Sequence, residues 1–406
     1  MLYLSGVAIT FFLLLLLLGK KGKSTADFIL ACWLFIMGFH LFFYYMYVTG
    51  KIYSYPWLLA VHFPFPLLHG PFLFLYASAL TGNLNVSNKK HLLHFLPPVL
   101  CYLYLIPFFF LPSEQKILIV KNRGTGYETF MSILVAAIII SGIVYVALTT
   151  LLHRRHRRNI MDQFSNTEKI NLDWIQYLMY GIGIIWLFVI YGDDNIIFGV
   201  VVFFVLFMGF LGIRQTPVFT IHNRTGLMPN GGTPVQPGST DENLNFEDDP
   251  IHPSSGNETD SLPPTEPSAI TDVEKSKYQK SGLNDEELHR IYEQLTDLMK
   301  REKLYTNPEL TLGDIAEQLK IHPNYLSQVI NSIMKKNFYD YINEQRVEEF
   351  NRLARDEKNQ KFTLLSLAYE CGFNSKTSFN RNFRKVTGLS PTQYLKQLHV
   401  SFDPVN

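Results

Sequence analysis

Apolar residues fall in long unbroken runs over the first half of the chain and in a three- and four-residue rhythm over its last third, with a polar stretch between. Seven runs, near 3–19, 26–48, 57–80, 93–111, 129–152, 174–191 and 196–213, approach the roughly 20 apolar residues a helix needs to cross a bilayer. Stretches such as "FFLLLLLLG" and "ILVAAIIISGIVYVALTTLL" are apolar on every face, leaving no polar stripe for water. The pattern predicts an all-α chain. Residues 1–215 are expected to form a seven-helix transmembrane sensor bundle, 216–281 a disordered cytoplasmic linker, and 282–406 a helical DNA-binding domain.

Charge sets the expected orientation. Loops assigned to the inside hold ten Lys and Arg against four in the loops assigned outside, which places the amino terminus outside and the carboxy-terminal half in the cytoplasm. The first run lacks a basic amino end and a small-residue cleavage pattern, so it reads as an anchor. The third run is the least regular. Pro64, Pro66, Gly70 and Pro71 interrupt its backbone ladder and His62 and His69 stand at membrane depth, so His62, His69 and Pro71 are candidates for signal sensing, with a static packing kink as the plainer alternative. The linker is rich in Pro, Gly, Ser, Asp and Glu and has too few apolar residues to build a core.

Beyond residue 283 the periodicity becomes that of half-buried helices. Leu288, Ile291, Leu295 and Leu298 mark one amphipathic helix, capped by Asn284 or Asp285. In "TLGDIAEQLKIHPNYLSQVINSI", Leu312, Ile315, Ala316 and Leu319 face a core, a short turn follows, and Pro323 suits the first turn of a second helix. That helix is expected to bury Leu326, Val329 and Ile330 and to turn Asn324, Tyr325, Ser327, Gln328 and Asn331 outward. The arrangement recurs in "TLLSLAYECGFNSKTSFNRNFRKV". Gly372 makes the turn, Ser375 caps the second helix, Phe379 and Phe383 are buried, and Lys376, Thr377, Asn380, Arg381 and Arg384 are exposed; these five and Ser375 are its candidate DNA contacts, as the five outward residues are those of the first unit. A short polar-faced helix after a tight turn has the geometry that enters a major groove, and two units on a connecting helix can address successive turns.

Net charge is only +1, from 36 Lys and Arg against 35 Asp and Glu, but the balance is local: residues 358–398 hold seven basic residues and one acid, Glu370. This end is expected to supply phosphate attraction, while Asn and Gln of the first unit are candidates to read base edges. Three scattered cysteines and isolated histidines point to no disulfide framework and no metal site, and the sequence calls for no cofactor.

The segments "DIAEQL", "NYLSQVIN", "FYDYINEQRV" and "LAYECGFNSKTSFNRNFRKVTGLSPTQY" resemble the DNA-binding domain of the AraC/XylS family of bacterial transcription regulators. Gly372, Phe373, Phe379, Phe383, Gly388, Pro391 and Tyr394 stand at the family's spacing; His322 takes the place of the usual Ser or Thr cap. The resemblance covers about a quarter of the chain. It implies two helix-turn-helix units and an activator that binds direct repeats as a homodimer, with RNA polymerase as a further candidate partner. The expected function is that of a one-component regulator, not an enzyme, in the inner (cytoplasmic) membrane. Its partners would be promoter DNA, the lipid bilayer and an unidentified signal ligand. The alternative is a transporter or channel with a regulatory DNA-binding tail, but neither intramembrane charge pairs nor an internal repeat stands out.

Overall fold

A computed structural model describes residues 2–85, 87–168, 170–191, 194–214 and 283–397; the expected linker lies outside them. Among the described residues the chain is helical and carries no strand, only one isolated antiparallel bridge between Phe164 and Thr311.

The first half holds α1 (Leu2–Gly19), α2 (Thr25–Val48), α3 (Pro66–Leu80), α4 (Leu96–Phe109), α5 (Ser113–Lys121), α6 (Glu128–Met161), α7 (Trp174–Tyr191) and α8 (Asp194–Arg214). Helix α2 starts at a capping box in which Ser24 and Asp27 satisfy each other's backbone amides. Helices α2, α3, α6, α7, α8 and α1 pack each on the next, and α1 closes back onto α2, so six of them form a ring; α4 lies outside it against α3. Trp33, Leu73, Ile175, Leu178 and Val205 belong to one buried cluster of the ring helices, and Phe43, Ile52 and Phe130 join Leu105 and Phe108 of α4 in a second. Gly142 lets α6 and α7 meet, since a Cβ there would run into the Trp186 ring. The outward faces stay apolar, with Phe28, Leu103, Ile140, Ile143 and Phe203 all exposed.

Seven apolar helices stand where the seven runs were expected, but among the described residues only three are long and apolar enough to cross a membrane: Thr25–Val48, Lys89–Phe109 and Glu128–Met161. The third run departs most. Residues 51–65 form 3-10 turns and bends, and an α-helix begins only at Pro66, because Pro56, Pro64 and Pro66 donate no amide and Ala60 takes a left-handed φ of 68°. Helix α6 exceeds expectation. Its 34 residues, about 51 Å at 1.5 Å per residue, carry the "HRRHRR" segment as helix beyond the apolar run.

The second half holds α9 (Asp285–Glu302), α10 (Leu312–Gln318), α11 (Pro323–Ser332), α12 (Phe338–Ala354), α13 (Leu364–Glu370), α14 (Lys376–Thr387) and α15 (Pro391–Gln397). Helix α12 belongs to two cores. Its first turns give Phe338 and Ile342 to a cluster with Leu295, Ile315, Leu326 and Ile330, and its later turns give Val347 and Phe350 to a cluster with Leu367, Phe379, Phe383 and Leu395. One stiff helix thereby fixes the two helix-turn-helix units relative to each other.

Candidate DNA interface and a segment docked beside it

In the first unit Thr311 caps α10 in a capping box with Asp314, and Pro323 opens α11. His322 performs the cap expected of Ser or Thr, since its Nδ1 accepts the Asn324 amide at 3.2 Å. Asn324 and Tyr325 are exposed, and Ser327 and Asn331 are half-buried. Gln328 departs from expectation: its relative exposure is 7%, so it does not face outward. Helix α9 lies along α11, where Leu288 and Ile291 enclose Val329, and the buried arc of α11 is wider than the Leu326–Val329–Ile330 stripe.

In the second unit Ser375 caps α14 by accepting the Ser378 amide at 3.0 Å. Gly372 sits at φ 94°, and a Cβ there would stand 2.5 Å from the Tyr305 carbonyl oxygen, so the turn needs glycine twice over. Lys376, Thr377, Asn380, Arg381 and Arg384 are all exposed along α14. Arg381 is held from behind: its Nη2 donates to the Tyr339 hydroxyl at 2.7 Å, which also accepts from the buried Asn382 amide. Lys385 is paired with Asp340 at 2.7 Å. Burial pushes the Cys371 thiol up to about 12, which leaves it inert.

Sequence reasoning missed a third component. The loop between α6 and α7 runs into the second half, where the Ser165 amide and hydroxyl both donate to the Leu310 carbonyl, at 3.2 and 2.7 Å, and the Leu312 amide donates to the Gln163 carbonyl at 2.9 Å. Asn343 Nδ2 and Arg346 Nη1 donate to the Ser165 carbonyl at 3.0 and 3.3 Å, and Arg346 Nη2 donates to the Ser165 hydroxyl at 3.0 Å. The Ser375 hydroxyl donates to Glu168 Oε1 at 2.6 Å. Arg346 also binds the Tyr305 and Asn307 carbonyls, at 2.8 Å each; burial pulls its pKa down to about 10, so it remains a cation at neutral pH. A signal for this was present: Tyr339, Asn343, Arg346 and Phe350 lie at spacings of four and three, which puts a polar pair in the buried stripe of α12.

The first half holds a partly open cavity of about 500 Å³ lined largely by apolar and aromatic side chains, among them Trp33, Phe130 and Trp186, with His40, His62 and His69 in its wall. Trp33 Nε1–H donates to His69 Nδ1 at 3.2 Å, which leaves the neutral His69 ring its proton on Nε2, 3.1 Å from His40 Nδ1. His69 therefore donates to His40, and His40 presents its own Nε2–H. The structure thus brings His62 and His69 to one cavity, but Pro71 is buried within α3 and does not line it.

Comparison with known proteins agrees with the second half. A helix-turn-helix domain family matches residues 315–397. The melibiose operon regulatory protein of Escherichia coli K12 is 32% identical over 87 residues, 21% of this chain and 28% of that protein. The uncharacterized HTH-type transcriptional regulators YijO of Escherichia coli K12 and YobQ of Bacillus subtilis 168 are 34% and 36% identical over 90 residues, 22% of this chain and 31% and 36% of theirs. The chain spans about a third of the length of these curated relatives. No solved structure matches. The carboxy-terminal half carries an AraC-type helix-turn-helix domain.

Proposed function

We propose that the protein is a membrane-embedded, one-component transcription regulator whose first half senses a signal and whose second half binds promoter DNA sequence-specifically. The carrying observation is that α11 and α14, fixed on one connector, present exposed polar and basic side chains, on a chain whose other half is a ring of apolar helices with an apolar outer face. Asn324, Tyr325, Ser327 and Asn331 are the base- and backbone-reading candidates of the first unit. Lys376, Thr377, Asn380, Arg381 and Arg384 are those of the second. The cavity is the natural seat of the signal, since its size and apolar, aromatic lining match small-molecule sites and its histidines offer a few placed hydrogen bonds.

The test is chromatin occupancy of tagged full-length protein, with fractionation of the same cells. The expected outcome is protein retained in carbonate-washed membranes and discrete promoter peaks that a Lys376→Ala, Arg384→Ala double variant abolishes. Full-length protein released by the wash, or peaks indifferent to the double variant, would refute the proposal.

A further inference from the structure

The contact between the α6–α7 loop and the second half serves no packing need of either half. Each has its own apolar core, and the loop adds polar groups that the second half has to satisfy. Yet Ser165 is 1% exposed, and the Asn343 and Arg346 that hold it are 2% and 1% exposed. A buried guanidinium and a buried carboxamide aimed at one serine make a receptor site for that serine. Each also bonds within the second half, Arg346 to the Tyr305 and Asn307 carbonyls and Asn343 to the Tyr339 carbonyl, which holds both in place to receive it. The bridge between Phe164 and Thr311 adds backbone pairing on the other side, and Glu168 extends from the same segment to the cap of α14.

Where Glu168 ends is what gives the contact a consequence. The amino end of α14 carries first-turn amides without intrahelical partners, of which Ser375 caps that of Ser378, and the positive end of the helix dipole; it leads into Lys376, Thr377 and Asn380, which face solvent. A recognition helix brings this end to the DNA backbone, where it favours a phosphate oxygen. Here a carboxylate oxygen has that position, bound to Ser375. A phosphate approaching the same cap meets a negative charge and finds the Ser375 hydroxyl already donating.

From this we infer that the surface made by Leu310, Leu312, Asn343, Arg346 and Ser375 is a docking site for residues 163–168 of the same chain, and that the docked segment and duplex DNA exclude one another through Glu168. The inference rests on the DNA-binding reading of the second half. Undocking moves the carboxylate away from α14 and opens its cap to phosphate. Because α6 runs unbroken from the cavity wall at Phe130 to Met161, two residues before the docked segment, a displacement of that helix reaches the segment directly.

The test uses the full-length chain in detergent or nanodiscs. Phe164 and Thr311 face each other as a non-hydrogen-bonded antiparallel pair, flanked by the Ser165–Leu310 and Leu312–Gln163 bonds, a geometry that places Cα atoms about 4.5 Å apart and within disulfide reach. A Phe164→Cys, Thr311→Cys variant is expected to oxidise to an intramolecular disulfide. Its affinity for a labelled duplex of arbitrary sequence should fall about tenfold or more and return on reduction. Glu168→Gln, which tests the charge without touching the bridge, should raise affinity about three- to tenfold at low salt, with the gain shrinking as salt rises. Glu128→Gln, at the far end of α6, should change nothing. Equal DNA binding by the oxidised and reduced forms overturns mutual exclusion while leaving the DNA-binding reading intact. A disulfide found only between two chains overturns docking within one chain. Failure of every form to bind DNA removes the reading on which the inference rests.

Discussion

Lys376 and Lys385 both stand exposed on α14, but only one is free to meet phosphate. The Lys385 ammonium lies 2.7 and 2.8 Å from the two Asp340 oxygens, whereas no acidic side chain among the described residues pairs with Lys376. Each phosphate neutralised on duplex DNA contributes about 0.9 to the slope of log affinity against log salt, so between about 50 and 200 mM salt one contact accounts for a roughly 3.5-fold part of the weakening. Lys376→Ala is therefore expected to lower the slope by about 0.9 and to lose most affinity at low salt. Lys385→Ala should lower it by less than half as much, because its charge is already spent on Asp340, and Asp340→Asn should raise affinity by freeing Lys385. Fluorescence anisotropy of a labelled duplex titrated with full-length protein across a salt series measures all three. Arbitrary sequence suffices, since this part of binding carries no base information. Equal slope changes for the two lysines, or none for Lys376, would refute the assignment of α14 as the phosphate-facing helix.

Three further outcomes follow from the buried groups of the second half. Arg346→Met strips buried carbonyls of their donor at roughly 1–3 kcal/mol each, partly offset by no longer burying a cation, and is expected to cost about 2–4 kcal/mol net; hydrogen exchange of α12 peptides across a urea series reads it, and an unchanged midpoint would contradict the role given to this side chain. Gly372→Ala combines a φ of 94° with a contact of 2.5 Å to the Tyr305 carbonyl, so loss of the second unit's exchange protection is expected at a cost above about 2 kcal/mol. Glu349 is held down to about 2 by the Arg352 guanidinium, against its burial and with help from Lys303. A depressed folded pKa stabilises above the unfolded value of 4.5 and ceases to as pH falls through the folded one. Wild type should thus exceed Glu349→Gln in stability at pH 6 and converge with it near pH 2; a gap independent of pH would count against that ion pair.

What could be read from the sequence was local. The Ser375 cap, the Gly372 turn and the connecting helix between the two units follow from local pattern, because helix periodicity and capping chemistry act over a few residues. Gln328 shows the limit of a single-helix reading: its place on α11 gave it an outward face, yet it is buried, and α9, arriving from about forty residues earlier, packs along the same helix at Val329. The third apolar run shows another, since hydropathy counted its length while its prolines decided how much became helix. The docked segment lay furthest from view. Phe164 pairs with Thr311 across almost the whole intervening chain, and nothing in "DQFSNTE" marks it as a ligand for a polar pair on a distant helix.

The energetics of that segment suit a switch better than a strut. Seven hydrogen bonds join residues 163–168 to the second half. At about 0.5–1.5 kcal/mol net apiece they contribute roughly 4–10 kcal/mol, while fixing six residues costs about 1–2 kcal/mol each, roughly 6–12 kcal/mol in all. The two nearly cancel, so docked and undocked states lie close in free energy, and DNA, by binding only the undocked state, shifts the balance toward it. A ligand in the cavity needs no large effect. A tenfold preference for one setting of α6, about 1.4 kcal/mol, is enough to change docking and hence DNA affinity by up to the same factor. The coupling is reciprocal: whatever setting of α6 a ligand favours, DNA binding must favour or oppose that ligand to the same degree. A rigid, strongly docked loop would forbid this exchange. A loop held mainly by one serine, with a single carboxylate at the cap of the recognition helix, permits it.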